Sequence, residues 1–243
     1  IKKVFIILLS EAVIISAAIF IKDTPGIFIS GGAILFGIVA THLTGKGSYE
    51  NVDFMHLSER AMLYVVFTFG EMVIAVAGYF SGETTISNLY FALMGFLIVV
   101  GLFLSYGIVY DKIIDREMKT NGLQYMFLHV FIIFALNNIS SALEFMQEEE
   151  IRLLPKMIFL VASMVLYYIF LFITKKFAKQ TCVPGRTFNL QMLLITIGFA
   201  ALMFLCMNIT YLHIAITVVY VYLIFILLYR FVQKMDRCPV PWA

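Results

Sequence analysis

Residues 158–172, Ile-Phe-Leu-Val-Ala-Ser-Met-Val-Leu-Tyr-Tyr-Ile-Phe-Leu-Phe, carry no charge and show no alternation of polar with apolar side chains. A strand of a membrane barrel needs about ten residues of alternating polarity, and a surface helix of a soluble domain keeps one polar face. Neither pattern is present. Lys156 precedes the run and Lys175-Lys176 follows it, so its apolar length is that of a helix crossing a bilayer, which takes about 20 residues.

Working outward, seven further segments read the same way, giving helices over 4–21, 26–43, 56–80, 86–110, 122–146, 154–174, 189–209 and 212–231. The breaks are chemical. Lys22, Asp23 and Pro25 end the first segment, Thr44 to Val52 is polar, and Ser81 to Thr85 ends the third. Asp111 to Gly122 is charged, Gln147 to Pro155 is acidic, and Lys175 to Gly185 is basic with a Pro-Gly pair that stops a helix. Only Tyr211 to His213 divides the last two runs. Joining them would make a helix of about 40 residues, too long to cross once.

The basic residues test this count independently. Alternate connections hold Lys2, Lys3, Lys46, Lys112, Arg116, Lys119, Lys175, Lys176, Lys179, Arg186, Arg230, Lys234 and Arg237, 13 of the 17 Lys and Arg. The opposite set holds Lys22, Arg152 and Lys156, and Arg60 lies within a span. Such a bias places the basic set, and both ends of this chain, in the cytoplasm. The expected class is therefore all-α, a polytopic transmembrane bundle of about eight spanning helices in the plasma (inner) membrane.

Composition agrees. Of 243 residues 62% are apolar and 13% charged, with a mean hydropathy of +0.97, whereas a soluble domain carries about 25% charged residues. The net charge of +2 and the lack of a basic patch with interleaved aromatics exclude nucleic acid as a partner. Cys182, Cys206 and Cys238 form no CxxC pair and no zinc spacing, so no disulfide, metal or cofactor is expected. The numbering begins at Ile1 without a methionine; the chain reads as a single helical domain, with two alternatives left open, a C-terminal portion of a longer chain or a divergent shorter protein.

Charged and amide side chains at bilayer depth are costly and usually face a bundle interior, a partner or a water-filled cavity. The third helix carries His56, Glu59, Arg60 and Glu71. At about 100° per residue, Arg60 lies about 40° and Glu71 about 60° from His56, while about 16 Å of axial rise separates Arg60 from Glu71. The two cannot pair. Glu71, near mid-membrane, needs a donor from elsewhere or a proton. On the fifth helix His129, Asn137, Ser140, Glu144 and Gln147 fall within about 80° of one another, an expected interior polar stripe. Glu11 on the first helix, Asp111 after the fourth, and His213 with Thr217 on the last are secondary candidates. Ser10, Asn138, Ser140 and Thr217 also read as hydrogen-bonding glue between helices. Gly78 and Gly82 make a GxxxG spacing, and Glu148 to Glu150 reads as a solvated loop.

His56-Leu57-Ser58-Glu59-Arg60, followed by Phe69-Gly70-Glu71, resembles the bacterial low temperature requirement A family, with its His-x-x-Glu-Arg start and later Gly-Glu pair. Tyr106, Tyr110, Asp111 and Arg116, then Tyr125, His129 and Ala142-Leu143-Glu144, are similar to its next two helices. The likeness covers about residues 56 to 175. The family's early Glu-Leu-Phe-Phe-Asp-Leu-Val type motif is missing; Ser10-Glu11-Ala12 offers a glutamate without the aspartate. What the resemblance implies is a fold and a membrane location, without a reaction.

The residues favour transport of a small polar solute or ion, with Glu71 as proton or cation site. His129, Asn137, Ser140 and Glu144 would line the route, and His56, Glu59 and Arg60 would form an inner gate or structural pair. One alternative is an intramembrane enzyme on a lipid or small molecule with His129 or His213 as base; no H-E-x-x-H or G-x-S-x-G motif supports it. Another is a non-catalytic sensor or interaction protein. Expected partners are membrane lipids and the solute or ion, with a homo-oligomer left open.

Overall fold

The computed structural model of the chain describes residues 2–21, 24–44, 52–80, 85–147, 152–180, 184–206 and 209–236. Gly82, Glu148 to Glu150, Cys182, Cys238 and the side chain of Gln147 lie outside the described residues. Every expected segment is helical. In order they are α1 (Lys2–Ile19), α2 (Thr24–Thr44), α3 (Phe54–Ala77), α4 (Ile86–Ile108), α5 (Leu123–Gln147), α6 (Leu153–Ile173), α7 (Arg186–Leu205) and α8 (Thr210–Asp236). Six of them, α3 to α8, are long and apolar enough to cross a membrane; the described apolar parts of α1 and α2, Phe5–Ile19 and Phe28–Ala40, are shorter. The protein is a multi-pass membrane protein whose apolar helix faces, Phe67 and Ile74 among them, are exposed to contact lipid.

The chain divides into two compact units, one of residues 1–53 with 119–123 and one of residues 54–118 with 124–243. The first is a helical hairpin of α1 and α2. Its helices approach closely at Gly37, where the carboxylate of Glu11 fills the space a Cβ would occupy.

The second unit holds α3 to α8. Its core is Ile98, Leu102, Ile132, Leu136, Met157 and Ile224, each with no accessible surface. Lipid tails are as apolar as these side chains, so burial alone gives little drive for helix association, and close van der Waals packing must supply it. Gly101 allows that between α4 and α8, since a Cβ there would lie 2.5 Å from Cγ1 of Val221. Elsewhere aromatic rings form the seams. Phe131 stacks on Phe170 between α5 and α6 at 4.7 Å, and Phe199 stacks on Tyr220 between α7 and α8 at 4.1 Å.

The expected break between α7 and α8 exists but lies a few residues earlier than Tyr211 to His213, which are the first turn of α8. The backbone N–H of Cys206 donates to Leu202 O at 3.0 Å, that of Ile209 donates to Cys206 O at 3.1 Å, and α8 starts at Thr210. On the side expected to be cytoplasmic, α4 ends in a π-helical turn, Val109–Ile113. An antiparallel bridge pairs Ile114 with Ala178. Asp115 N–H donates to Phe177 O at 2.8 Å and Lys179 N–H to Ile113 O at 2.9 Å. The α4–α5 and α6–α7 connections are thereby clasped together, which sequence reading did not anticipate.

Candidate functional site

On α3 the buried residues are Phe54, Ser58, Ala61, Val65, Thr68, Phe69, Met72 and Val76, one face at helical spacing. His56, Arg60 and Glu71 are exposed and Glu59 is half-buried. Nδ1 of His56 lies 3.5 Å from Oε2 of Glu59, an i,i+3 contact at an exposed position and therefore of small energetic weight. Arg60 reaches no carboxylate among the described residues, as its axial distance from Glu71 required. Glu71 makes no hydrogen bond or ion pair there, and the space beside the neighbouring Gly70 is open, with nothing within 4 Å of where a Cβ would stand.

The α5 stripe divides. His129 is buried, Ser140 is half-buried, and Asn137 and Glu144 are exposed. Each of these polar side chains lies next to a core position rather than on one. Met72 follows Glu71, Leu136 precedes Asn137, Ile139 precedes Ser140 and Leu143 precedes Glu144, and all four apolar neighbours are at most 2% exposed. One residue is about 100° of helix rotation. Instead of pointing into the bundle as expected, the polar groups border its core on the outer side.

They border it on two adjoining helices. Phe54 meets Tyr125 edge to face at 5.1 Å where α3 and α5 begin, and near their other ends Tyr79 is within electrostatic range of Glu144. The two helices therefore run parallel as neighbours. Rotating from the core outward, Glu71 comes on the α5 side of α3, while Ser140, Glu144 and Asn137 come on the α3 side of α5. Within this unit the polar side chains of the two helices thus turn toward the α3–α5 boundary, as a polar seam beside the core.

His129 stands apart from that seam. Its Nδ1 lies 2.9 Å from the carbonyl oxygen of Tyr125, one turn earlier, and its Nε2 lies 3.0 Å from the hydroxyl of Tyr106 on α4. A carbonyl can only accept, so Nδ1 carries the hydrogen, and in the neutral ring Nε2 accepts from Tyr106. Tyr106 stacks on Tyr110 with centroids 6.2 Å apart, and the Arg116 guanidinium sits 5.3 Å above the Tyr110 ring. With both nitrogens engaged, His129 is a satisfied core histidine that ties α5 to α4. Tyr106 was legible only as part of a family pattern; its bond to His129 joins residues 23 positions apart and has no local signal.

The secondary candidates fall in separate places. Glu11 is half-buried against Gly37 in the hairpin. Asp111 is exposed in the π-helical turn. His213 and Thr217 are buried in α8, and the Thr217 hydroxyl donates to His213 O at 2.8 Å within its own helix. Ser10 likewise donates to Ile7 O at 2.7 Å. For these two the expected glue between helices is not formed, because a helix carbonyl one turn back is the nearest acceptor. Around Gly78, half of the GxxxG spacing, nothing stands within 4 Å of a Cβ position; among the described glycines the close approaches are at Gly26, Gly37 and Gly101. Among the described residues no group of three or more His, Cys, Asp and Glu side chains is placed to hold a metal.

Compared with known proteins, residues 2–226 match the model of a family described as bacterial low temperature requirement A protein (LtrA). No curated protein and no solved structure matches the chain.

Proposed function

The chain belongs to the bacterial low temperature requirement A family, and from that premise and the polar seam we propose that it moves a small polar solute or ion across the plasma membrane with a proton exchanged at Glu71. The observation that carries this reading is the state of Glu71, a carboxylate in the middle of a 27-residue span that no donor of its own unit holds. A carboxylate kept for structure is normally paired, because leaving it unpaired at bilayer depth is expensive. An unpaired one beside open space can take up and release a cation or proton as access changes. Asn137, Ser140 and Glu144 on the adjoining helix would form the rest of the route, and His56, Glu59 and Arg60 its expected cytoplasmic end. His129 in this scheme positions α5 against α4 and does not touch the solute.

The test is flux in proteoliposomes loaded with a pH-reporting dye, with an imposed pH gradient and external Na+, K+ or a panel of amino acids and amines. Wild type should give solute-dependent collapse of the gradient, and Glu71→Gln should reduce it to the level of empty vesicles while remaining folded. Equal flux in wild type and Glu71→Gln removes the proton role, and no flux with any solute removes the transport reading.

A further inference from the structure

One end of the second unit gathers cations from three separate parts of the chain. Phe188, in the first turn of α7, meets Phe172 of α6 with ring centroids 6.0 Å apart and Phe231 of α8 with centroids 4.8 Å apart. Those two contacts bring three groups of basic residues to the same end of the bundle. They are Lys175, Lys176 and Lys179 after α6, Arg186 at the start of α7, and Arg230 with Lys234 in the last turns of α8. Lys175 is half-buried and the other five are exposed.

Among the described residues nothing neutralises them. Between Glu150 and Asp236 the sequence contains no carboxylate. Glu59, Asp111, Asp115 and Glu117 reach this end from α3 and from the α4–α5 connection, since Phe54 stacks on Phe177 at 5.7 Å and Asp115 N–H donates to Phe177 O. None of these four forms an ion pair with the six cations. Glu59 faces His56, and Asp115 Oδ1 accepts from the Glu117 N–H at 3.1 Å. Lys175 meets a neutral acceptor, Asn189 Oδ1, at 3.5 Å. Arg186 gains nothing from its own helix, because a positive side chain in the first turn opposes the helix dipole. On the bilayer side of Arg186 the face of α7 is apolar and bare. Leu190, Leu193 and Ile197 are each more than half exposed and lie within about 40° of Arg186 on the helix.

We propose that this end of α6, α7 and α8 binds an anionic phospholipid, with the headgroup phosphate at Arg186 among the surrounding lysines and Arg230, and an acyl chain along Leu190, Leu193 and Ile197. Basic residues clustered at the end of a membrane helix attract acidic headgroups, and the arginine fork can take two phosphate oxygens at once. A zwitterionic lipid carries its own ammonium group and offers the cluster no net charge. The apolar stripe running from Arg186 into the bilayer fits a ligand that is charged at one end and apolar along its length. This site is distinct from the α3–α5 seam and stands whether or not solute transport is found.

The full chain in detergent is titrated with phosphatidylglycerol and, separately, with phosphatidylethanolamine of the same acyl chains, and retained lipid is counted by native mass spectrometry. Phosphatidylglycerol should be the lipid retained. Arg186→Gln should weaken its binding by about fivefold, the effect of one basic residue at an anionic surface. Arg186→Gln combined with Lys176→Gln and Arg230→Gln should abolish the preference for phosphatidylglycerol. These side chains are exposed, so the variants should melt near wild type. Arg152→Gln, an exposed cation at the other end of α6, should leave the preference intact, and excess inorganic phosphate should not displace the lipid. Equal retention of the two lipids in wild type, an unchanged preference in the triple variant, or an equal loss in Arg152→Gln overturns the site. Displacement by inorganic phosphate assigns the cations to a soluble anion and overturns the lipid.

Discussion

Tyr106 of α4 and His129 of α5 are joined by a buried hydrogen bond of 3.0 Å, and the Tyr125 carbonyl holds the other ring nitrogen at 2.9 Å. The bond is a polar link between the two helices. Tyr106→Phe would leave Nε2 of His129 buried without a partner, at a cost of about 1–3 kcal/mol. In thermal unfolding in detergent this variant should melt below wild type. Adding His129→Leu to Tyr106→Phe should cost less than the sum of the two single changes, since each removes the same bond. Additive losses would show that the bond carries no coupling.

Gly101 sets the approach of α4 to α8. Gly101→Ala places a methyl 2.5 Å from Val221 Cγ1 and should destabilise by about 1–3 kcal/mol through overpacking. Combining it with Val221→Ala should recover part of the loss. Gly107→Ala, on the same helix with nothing within 4 Å, should be neutral or stabilising, because alanine is the better helix former by about 1 kcal/mol. Unfolding temperatures of the three variants separate close approach from a general need for glycine.

Glu71 makes no bond within its unit, so Glu71→Gln should change stability by no more than about 0.5 kcal/mol, and Glu71→Leu, which removes an unpaired carboxylate from bilayer depth, should stabilise. Solute-driven proton flux should fall to background in both. A large stability loss in Glu71→Gln would identify Glu71 as a structural group instead.

The 13-to-3 division of basic residues predicts which connections face the cytoplasm. In a cysteine-free background, Lys176→Cys and Lys112→Cys, both at exposed positions, should react with a membrane-impermeant maleimide only when the cytoplasmic face is opened. Arg152→Cys should react in intact cells. The reverse pattern would invert the proposed orientation.

Helix existence and helix boundaries were legible along the chain because a bilayer demands long apolar runs and tolerates charges chiefly at their ends. Even the narrow break near Thr210 could be read from length alone. Family membership was legible as well, in His56-Leu57-Ser58-Glu59-Arg60 and Phe69-Gly70-Glu71. The angles among the polar residues of one helix could be read, but their direction could not: Glu71, Asn137 and Glu144 are exposed rather than interior. A helical wheel gives angles between residues of one helix, and it cannot say which direction is inward until the neighbours are in place. His129 and Glu144 lie about 60° apart on α5; the first turns to Tyr106 in the core and the second does not.

By itself the sequence determined that this protein is an all-α, multi-pass membrane protein and which of its helix residues are too polar for lipid. Both follow from local transfer free energies, which depend on what a residue is and hardly on what lies across from it. Tertiary structure alone decided that Glu71, Asn137 and Glu144 are exposed beside core positions and that His129 is tied to Tyr106. Those outcomes depend on helix rotation and packing between residues remote in the chain, where a glycine such as Gly101 or a ring pair such as Phe199 and Tyr220 sets the register.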